Sequence, residues 1–334
     1  MAKRLPLLFL VGLLSAGCGS NSNSNGTGGS PGNGGDGGAG GEAGSGGTAG
    51  TGGDGGTGGS AQKCDTPSEL LRCSTVNIAH RGGRRIRPEH TIEAYDQALV
   101  DGTDILELDL HETVDGEIVV MHDETLNRTT DCEGLIKEKT FAEIRTCDAG
   151  YDFTTDGGET YPYRGMGLVV PTLQEVLERY PDTPFVIEIK QEEPSMVDNF
   201  VEVLEEFDMV DQTVGAAFSD AVLAELREAA PDLATSLGID ETRAFVLLSL
   251  VPEGDPDYEP PAEFLQVPIA YGDVPVLHDG LIPFAHSFGM TVHFWTINDE
   301  EEMRSLIGEY GADGIMTDDP PLLTEVIDDL GAAP

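Results

Sequence analysis

Basic residues are scarce. The chain carries 18 Lys and Arg against 61 Asp and Glu, a formal charge of −43. It therefore lacks the cationic footprint that nucleic acid needs. It also gains nothing electrostatically from an anionic membrane surface. An anionic substrate would need a local cationic site, such as a bound metal. Long apolar runs are lacking too. The run Leu5–Leu14 is too short to span a bilayer, which takes about 20 residues. No CxxC or Cys-His spacing supports a zinc site. No glycine-rich phosphate loop follows the first strand-like run, which argues against an open dinucleotide-binding sheet.

What is present begins with an address. Lys3 and Arg4, the apolar stretch, and Ser15-Ala16-Gly17 before Cys18 resemble a bacterial lipoprotein signal, with Ser15 standing where Leu is usual. The expectation is an exported chain lipidated at Cys18 and anchored to a membrane, in the periplasm or at the cell surface. Residues 19–63 are nearly all Gly, Ser, Asn, Thr, Ala and Asp. Such a segment buries no core and acts as a tether of roughly 35–40 Å root-mean-square. Residues 64–334 are expected to form one folded domain. Its four cysteines, an even number in an exported chain, point to disulfides. Three pairings are open. The local ones, Cys64–Cys73 and Cys132–Cys147, are favoured.

Eight short apolar and β-branched runs recur in the domain: Val76–His80, Asp104–Leu110, Pro184–Lys190, Thr213–Ala217, Ala234–Gly238, Phe264–Ile269, Thr291–Thr296 and Asp313–Thr317. Helical patterns separate most of them: Thr91–Asp101, Thr172–Tyr180, Val197–Phe207, Ala221–Ala229, Leu277–Phe288 and Glu300–Tyr310. Alternating strands and helices of this number predict a parallel (β/α)8 TIM barrel. Ile118–His122 breaks the pattern. Only a short turn around Asp115-Gly116 precedes it, so it must run antiparallel to the strand before. A two-residue turn there would set His122 opposite Asp109 at the barrel mouth.

Strand alternation then selects candidate chemistry. Leu106, Leu108 and Leu110 face the helices, while Ile105, Glu107 and Asp109 face inward. In the next strand Val186, Glu188 and Lys190 face inward. Three carboxylates brought together repel one another, and a hard divalent cation removes the conflict. His80 ends the first strand, and His122 ends the hairpin. Two histidines beside the carboxylates suit acid/base work. Arg81 could clamp phosphate oxygens. Trp295, beside His293 by alternation, could wall a substrate cleft.

These residues sit in strings that resemble the glycerophosphodiester phosphodiesterases. The strings are Ile78-Ala79-His80-Arg81-Gly82, Pro88-Glu89-His90-Thr91, Glu107-Leu108-Asp109, His122-Asp123, Leu126-Asn127-Arg128-Thr129-Thr130, Ile187-Glu188-Ile189-Lys190, Trp295-Thr296-Ile297-Asn298 and Asp313-Gly314-Ile315-Met316-Thr317-Asp318. The resemblance implies a barrel with His80 and His122 as the catalytic pair. It implies that Glu107, Asp109 and Glu188 bind a divalent metal, Ca²⁺ or Mg²⁺, and that Arg81 and Lys190 contact phosphate. Glu89 lies at the site in the family. The resemblance also implies a capping insertion at about residues 124–170. The chain departs from the family's pattern at His90, where Asn is usual. Hydrolysis of glycerophosphodiesters to glycerol 3-phosphate and an alcohol is the expected activity. Lysophospholipase D or sphingomyelinase-D-like action on the same site is the alternative, and an inactive surface-binding lipoprotein is the reading of another class.

Overall fold

The computed structural model describes residues 66–73, 75–251 and 257–332. The signal, the tether, Cys18 and Cys64 lie outside the described residues. In chain order the strands are β1 (Val76–Ala79), β2 (Ile105–Glu112), β3 (Ile118–Val120), β4 (Phe185–Ile189), β5 (Thr213–Ala216), β6 (Ala234–Thr235), β7 (Phe264–Val267), β8 (Ala270–Tyr271), β9 (Val274–Pro275), β10 (Thr291–Phe294) and β11 (Gly314–Thr317). Eight of them lie side by side in the order β6-β5-β4-β2-β1-β11-β10-β7. A parallel bridge between Ser236 and Phe264 joins the two ends of that row. Leu237 N–H donates to the Phe264 carbonyl at 3.0 Å across the same seam. The result is the (β/α)8 barrel, with each barrel strand on one of the eight predicted runs.

The period-2 pattern sorts the side chains as the sequence implied. Leu106, Leu108, Leu110, Phe185 and Ile187 pack outward in one buried cluster with helix residues such as Val176 and Phe200. Val76, Ile78, Ile105, Val186, Val214 and Phe264 fill the barrel interior. The helices are α1 (Pro67–Leu70), α2 (Ile92–Val100), α3 (Phe141–Ile144), α4 (Leu173–Arg179), α5 (Val197–Glu206), α6 (Asp220–Ala229), α7 (Ile239–Ser249), α8 (Leu281–Ser287), α9 (Glu300–Ser305) and α10 (Pro320–Leu330). Thr91 and Thr172 start α2 and α4 by accepting from the N3 backbone N–H, which satisfies an otherwise orphaned donor. α8 begins at Leu281 rather than Leu277, because His278–Gly280 turn first and Leu281 N–H closes on the His278 carbonyl at 3.0 Å.

The β2–β3 hairpin differs from the expected register. Thr113 N–H donates to the Glu117 carbonyl at 2.9 Å, and Gly116 N–H to the Thr113 carbonyl at 3.1 Å. The loop thus holds Val114, Asp115 and Gly116, not Asp115 and Gly116 alone. Gly116 takes φ 87°, the left-handed position that closes three-residue hairpins. The extra residue shifts the pairing by one, so Met121 rather than His122 bonds across to Asp109, at 2.8 Å. His122 falls one step further along.

Residues 121–171 follow the hairpin with their own small core of Met121, Leu126, Ile136, Ile144 and Val170. Cys132 and Cys147 are joined there, with 5.7 Å between their Cα atoms. Arg145 fastens the segment to α4 by two bonds to Glu175, at 2.6 and 2.7 Å. Cys73 is also disulfide-bonded.

Candidate active site

The C-terminal ends of β1, β2 and β4 converge, which is where a barrel of this kind builds its site. Glu107 and Asp109 come from β2 and Glu188 from β4, in register so that Asp109 pairs Glu188. One carboxylate oxygen from each lies within 4.8 Å of the others. The electrostatics are unfavourable as they stand. Burial and then repulsion from Asp109 push Glu107 well above its ordinary value. The same two causes, in the same order, push Glu188 up to about 7. Asp109 goes the other way. Burial opposes its ionisation, but the His90 hydrogen bond and the charges of Lys190 and Arg81 hold it well below the usual carboxylate range. Two acids driven towards protonation around one held ionised is a donor set that a hard cation would relieve. Oxygen donors without thiol or imidazole suit Ca²⁺ or Mg²⁺.

Two cations already border the set. Lys190 Nζ lies 2.9 Å from Glu188 Oε1 and 3.7 Å from Asp109 Oδ1. Arg81 follows β1 in a single 3-10 turn, His80–Gly82, with φ 53°. That turn packs tightly: a Cβ on Gly82 would lie 2.9 Å from Ala94 Cβ. Arg81 N–H donates to Glu107 Oε2 at 2.7 Å, and its Nη1 donates to Glu89 Oε1 at 3.2 Å. Glu89 also takes a two-pronged pair from Arg128, at 2.7 and 2.8 Å. Burial would raise Glu89, but Arg128 and Arg81 together hold it at about 2.

Both candidate histidines are backed by an aspartate. His80 Nδ1 lies 2.5 Å from Asp318 Oδ1, and Arg84 Nε donates to the same oxygen at 2.8 Å. Arg81 Nε donates to His80 Nε2 at 3.1 Å. The ring is therefore neutral, with its hydrogen on Nδ1 and a lone pair on Nε2. Burial pushes its proton affinity down, against the Asp318 bond. His122 Nδ1 lies 2.7 Å from Asp123 Oδ1, and its side chain keeps 30% exposure. Arg128 Nη2 donates to that same Asp123 oxygen at 3.0 Å. His111 Nε2 lies 3.2 Å from the His122 carbonyl and so braces the hairpin end.

Trp295 is half-buried at the end of β10, edge-on to Phe218 with 5.8 Å between ring centroids. Lys190 Nζ sits 5.4 Å from the centre of the Phe218 ring. Phe218 is 48% exposed, an apolar surface at the rim. Sequence reasoning passed over Phe218, Arg128 and Asp318 as site residues. Asp318 had a signal: Met316 points into the barrel, so alternation also turns Asp318 inward.

The model of the glycerophosphoryl diester phosphodiesterase family matches residues 80–322. A glycerophosphodiester phosphodiesterase of Caldanaerobacter subterraneus is 32% identical over 262 residues, covering 76% of this chain and 98% of the relative. A lysophospholipase D of Homo sapiens is 26% identical over 283 residues, covering 78% of this chain and 88% of the relative. The crystal structure of a glycerophosphodiester phosphodiesterase from Agrobacterium tumefaciens superposes with a TM-score of 0.61 at 28% identity, covering 75% of this chain and 99% of that one. With a match across most of the folded residues, the chain belongs to the glycerophosphoryl diester phosphodiesterase family.

Proposed function

We propose that this chain hydrolyses glycerophosphodiesters to glycerol 3-phosphate and a free alcohol, with His80 and His122 as the acid/base pair. One observation carries the reading. Two histidines, each backed by its own aspartate, stand at the same barrel mouth as the three-carboxylate cluster. His80 Nε2 carries the ring's lone pair, which Arg81 Nε engages at 3.1 Å; with Nδ1–H held by Asp318 it is the proton-accepting atom of the ring, and we take it as the base. It takes the proton of the nucleophile, either water or a glycerol hydroxyl. Asp318 then stabilises the imidazolium. His122, more exposed and held through Nδ1 by Asp123, is the acid that protonates the departing alcohol oxygen. Each transfer is typically worth about 10²–10⁴-fold. Arg81 and Lys190 bind the phosphate oxygens, with Glu89 and Arg128 fixing the Arg81 side chain. Glu107, Asp109 and Glu188 would hold a divalent cation, Ca²⁺ or Mg²⁺, which when bound supplies charge neutralisation to the phosphate. Trp295 lines the cleft.

The N-terminal pattern supports an exported lipoprotein anchored through Cys18, working on small soluble phosphodiesters at a membrane surface. A second reading, lysophospholipase D action, draws on the exposed Phe218 ring beside Lys190, where an apolar tail would find contact. Both readings are tested by turnover against glycerophosphocholine, glycerophosphoethanolamine and lysophosphatidylcholine, with and without chelator. Release of glycerol 3-phosphate that stops on chelation is expected. No turnover of any of the three with metal supplied would remove the reading.

A further inference from the structure

His90 is the place where the chain leaves its family's pattern, and the structure gives it a partner on each side. The residue is 2% exposed. It holds φ 56°, a left-handed conformation that histidine tolerates better than most residues. Nε2 lies 2.8 Å from Asp109 Oδ2, and Nδ1 lies 2.8 Å from the Tyr95 hydroxyl. The hydrogens follow from the partners. An ionised Asp109 only accepts, so Nε2 carries the hydrogen. Nδ1 of the neutral ring then accepts, and Tyr95 O–H donates. Tyr95 is fully buried, edge-on to Tyr180 with ring centroids 6.2 Å apart. Packing thus fixes the far end of this chain of bonds.

We propose that Tyr95 and His90 form a positioning pair that locks the Asp109 carboxylate in the orientation a divalent cation requires. The inference rests on reading Glu107, Asp109 and Glu188 as cation ligands. Among the described residues Asp109 has two other charged side-chain neighbours, and both are distant: Arg81 Nε at 3.4 Å and Lys190 Nζ at 3.7 Å. Neither sets the plane of the carboxylate, whereas the 2.8 Å bond from His90 does. Partners of metal ligands act this way generally, and their loss typically costs about 10–100-fold in metal affinity.

Two near-isosteric substitutions separate the halves of the bridge. In His90→Gln the amide nitrogen reaches the place of Nε2 and keeps the Asp109 bond. In His90→Asn the amide reaches only the place of Nδ1 and keeps the Tyr95 side. The measurement is calorimetric titration of Ca²⁺, and separately Mg²⁺, into metal-stripped full-length protein, with thermal melts in chelator to verify folding. His90→Asn should bind about 10–100-fold more weakly than wild type, and His90→Gln, which keeps the Asp109 bond but loses the Tyr95 anchor, should fall between the two. Should His90→Asn fail to fold, Tyr95→Phe removes the donor but leaves the ring, and it should weaken binding in the same direction. Wild-type affinity in His90→Asn, or in Tyr95→Phe where that variant replaces it, overturns the proposal. So does equal weakening in His90→Gln and His90→Asn. Absence of any Ca²⁺ or Mg²⁺ binding by the wild-type chain overturns the underlying metal reading as well, so the two failures are distinct.

Discussion

Asp318→Asn isolates what the aspartate behind His80 contributes. Three donors converge on this carboxylate: His80 Nδ1 at 2.5 Å and Arg84 Nε at 2.8 Å on Oδ1, and Asn298 Nδ2 at 2.9 Å on Oδ2. Asparagine offers one acceptor oxygen. Asn298 cannot turn to compensate, because its Oδ1 already accepts from Asp318 N–H at 2.9 Å and from the Thr317 hydroxyl at 3.2 Å. At least one donor pair must clash, and the imidazolium that forms on His80 loses its anion. A hydrogen bond to a charged group is worth about 1.5–3 kcal/mol, or about 10- to 150-fold in kcat. The pH profile should move too. The Asp318 bond and charge both raise the proton affinity of His80. Removing them lowers it, so the acid limb of kcat/KM should shift to lower pH while the maximum falls. The assay is glycerol 3-phosphate release from glycerophosphocholine across pH, with melting curves to verify folding. A folded Asp318→Asn protein with wild-type kcat and an unmoved acid limb would refute the assignment of His80 as base.

Other expectations follow from the same geometry. Glu188→Gln should lower activity at fixed metal and recover part of it as Ca²⁺ or Mg²⁺ is raised; full activity in exhaustive chelator would take the metal out of the mechanism. Cys132→Ser with Cys147→Ser should cost about 3 kcal/mol, the chain-entropy value for a loop of this size, since the bridge closes a separation of 15 residues; an unchanged melting temperature under oxidising conditions would contradict it. Asp104 is pushed up to about 6 by burial, against the bond from Asn77 N–H. The folded state therefore takes up a proton that the unfolded chain, near 3.9, does not. Stability should fall as pH rises from about 4 to 6 and stay lower above. Asp104→Asn should then stabilise by up to about 3 kcal/mol at pH 7.5 and by nothing at pH 4; equal gains at both pH values would show another cause.

Much of the barrel was legible because each strand carries its own period-2 record. The alternation Leu106-Glu107-Leu108-Asp109 states both the fold and the site, since carboxylates at inward positions have no packing role. What was illegible depended on single residues. The hairpin register turned on whether Gly116 closes a two- or a three-residue loop, and the deciding bonds from Gly116 and Thr113 are not written in the Asp-Gly pair. α7 was missed because only Phe245 of its described residues is buried, so it carries little apolar rhythm. α10 was missed although Pro320 and Pro321 stand at its first positions, where proline is favoured. Arg128 stood in one of the strings that carry the resemblance, with no role attached to it. Its pair with Glu89 bridges 39 residues of sequence, and no local pattern encodes such a contact.

The most direct measurement is kcat/KM on glycerophosphocholine for wild type, His80→Ala, His122→Ala and the double variant, with metal supplied. If the two histidines are base and acid of one reaction, each single substitution costs about 10²-fold or more. The double should then fall little below the worse single, because the relay is already broken. Near-normal turnover by a folded His122→Ala protein, or losses that simply multiply in the double, would contradict the two-histidine mechanism.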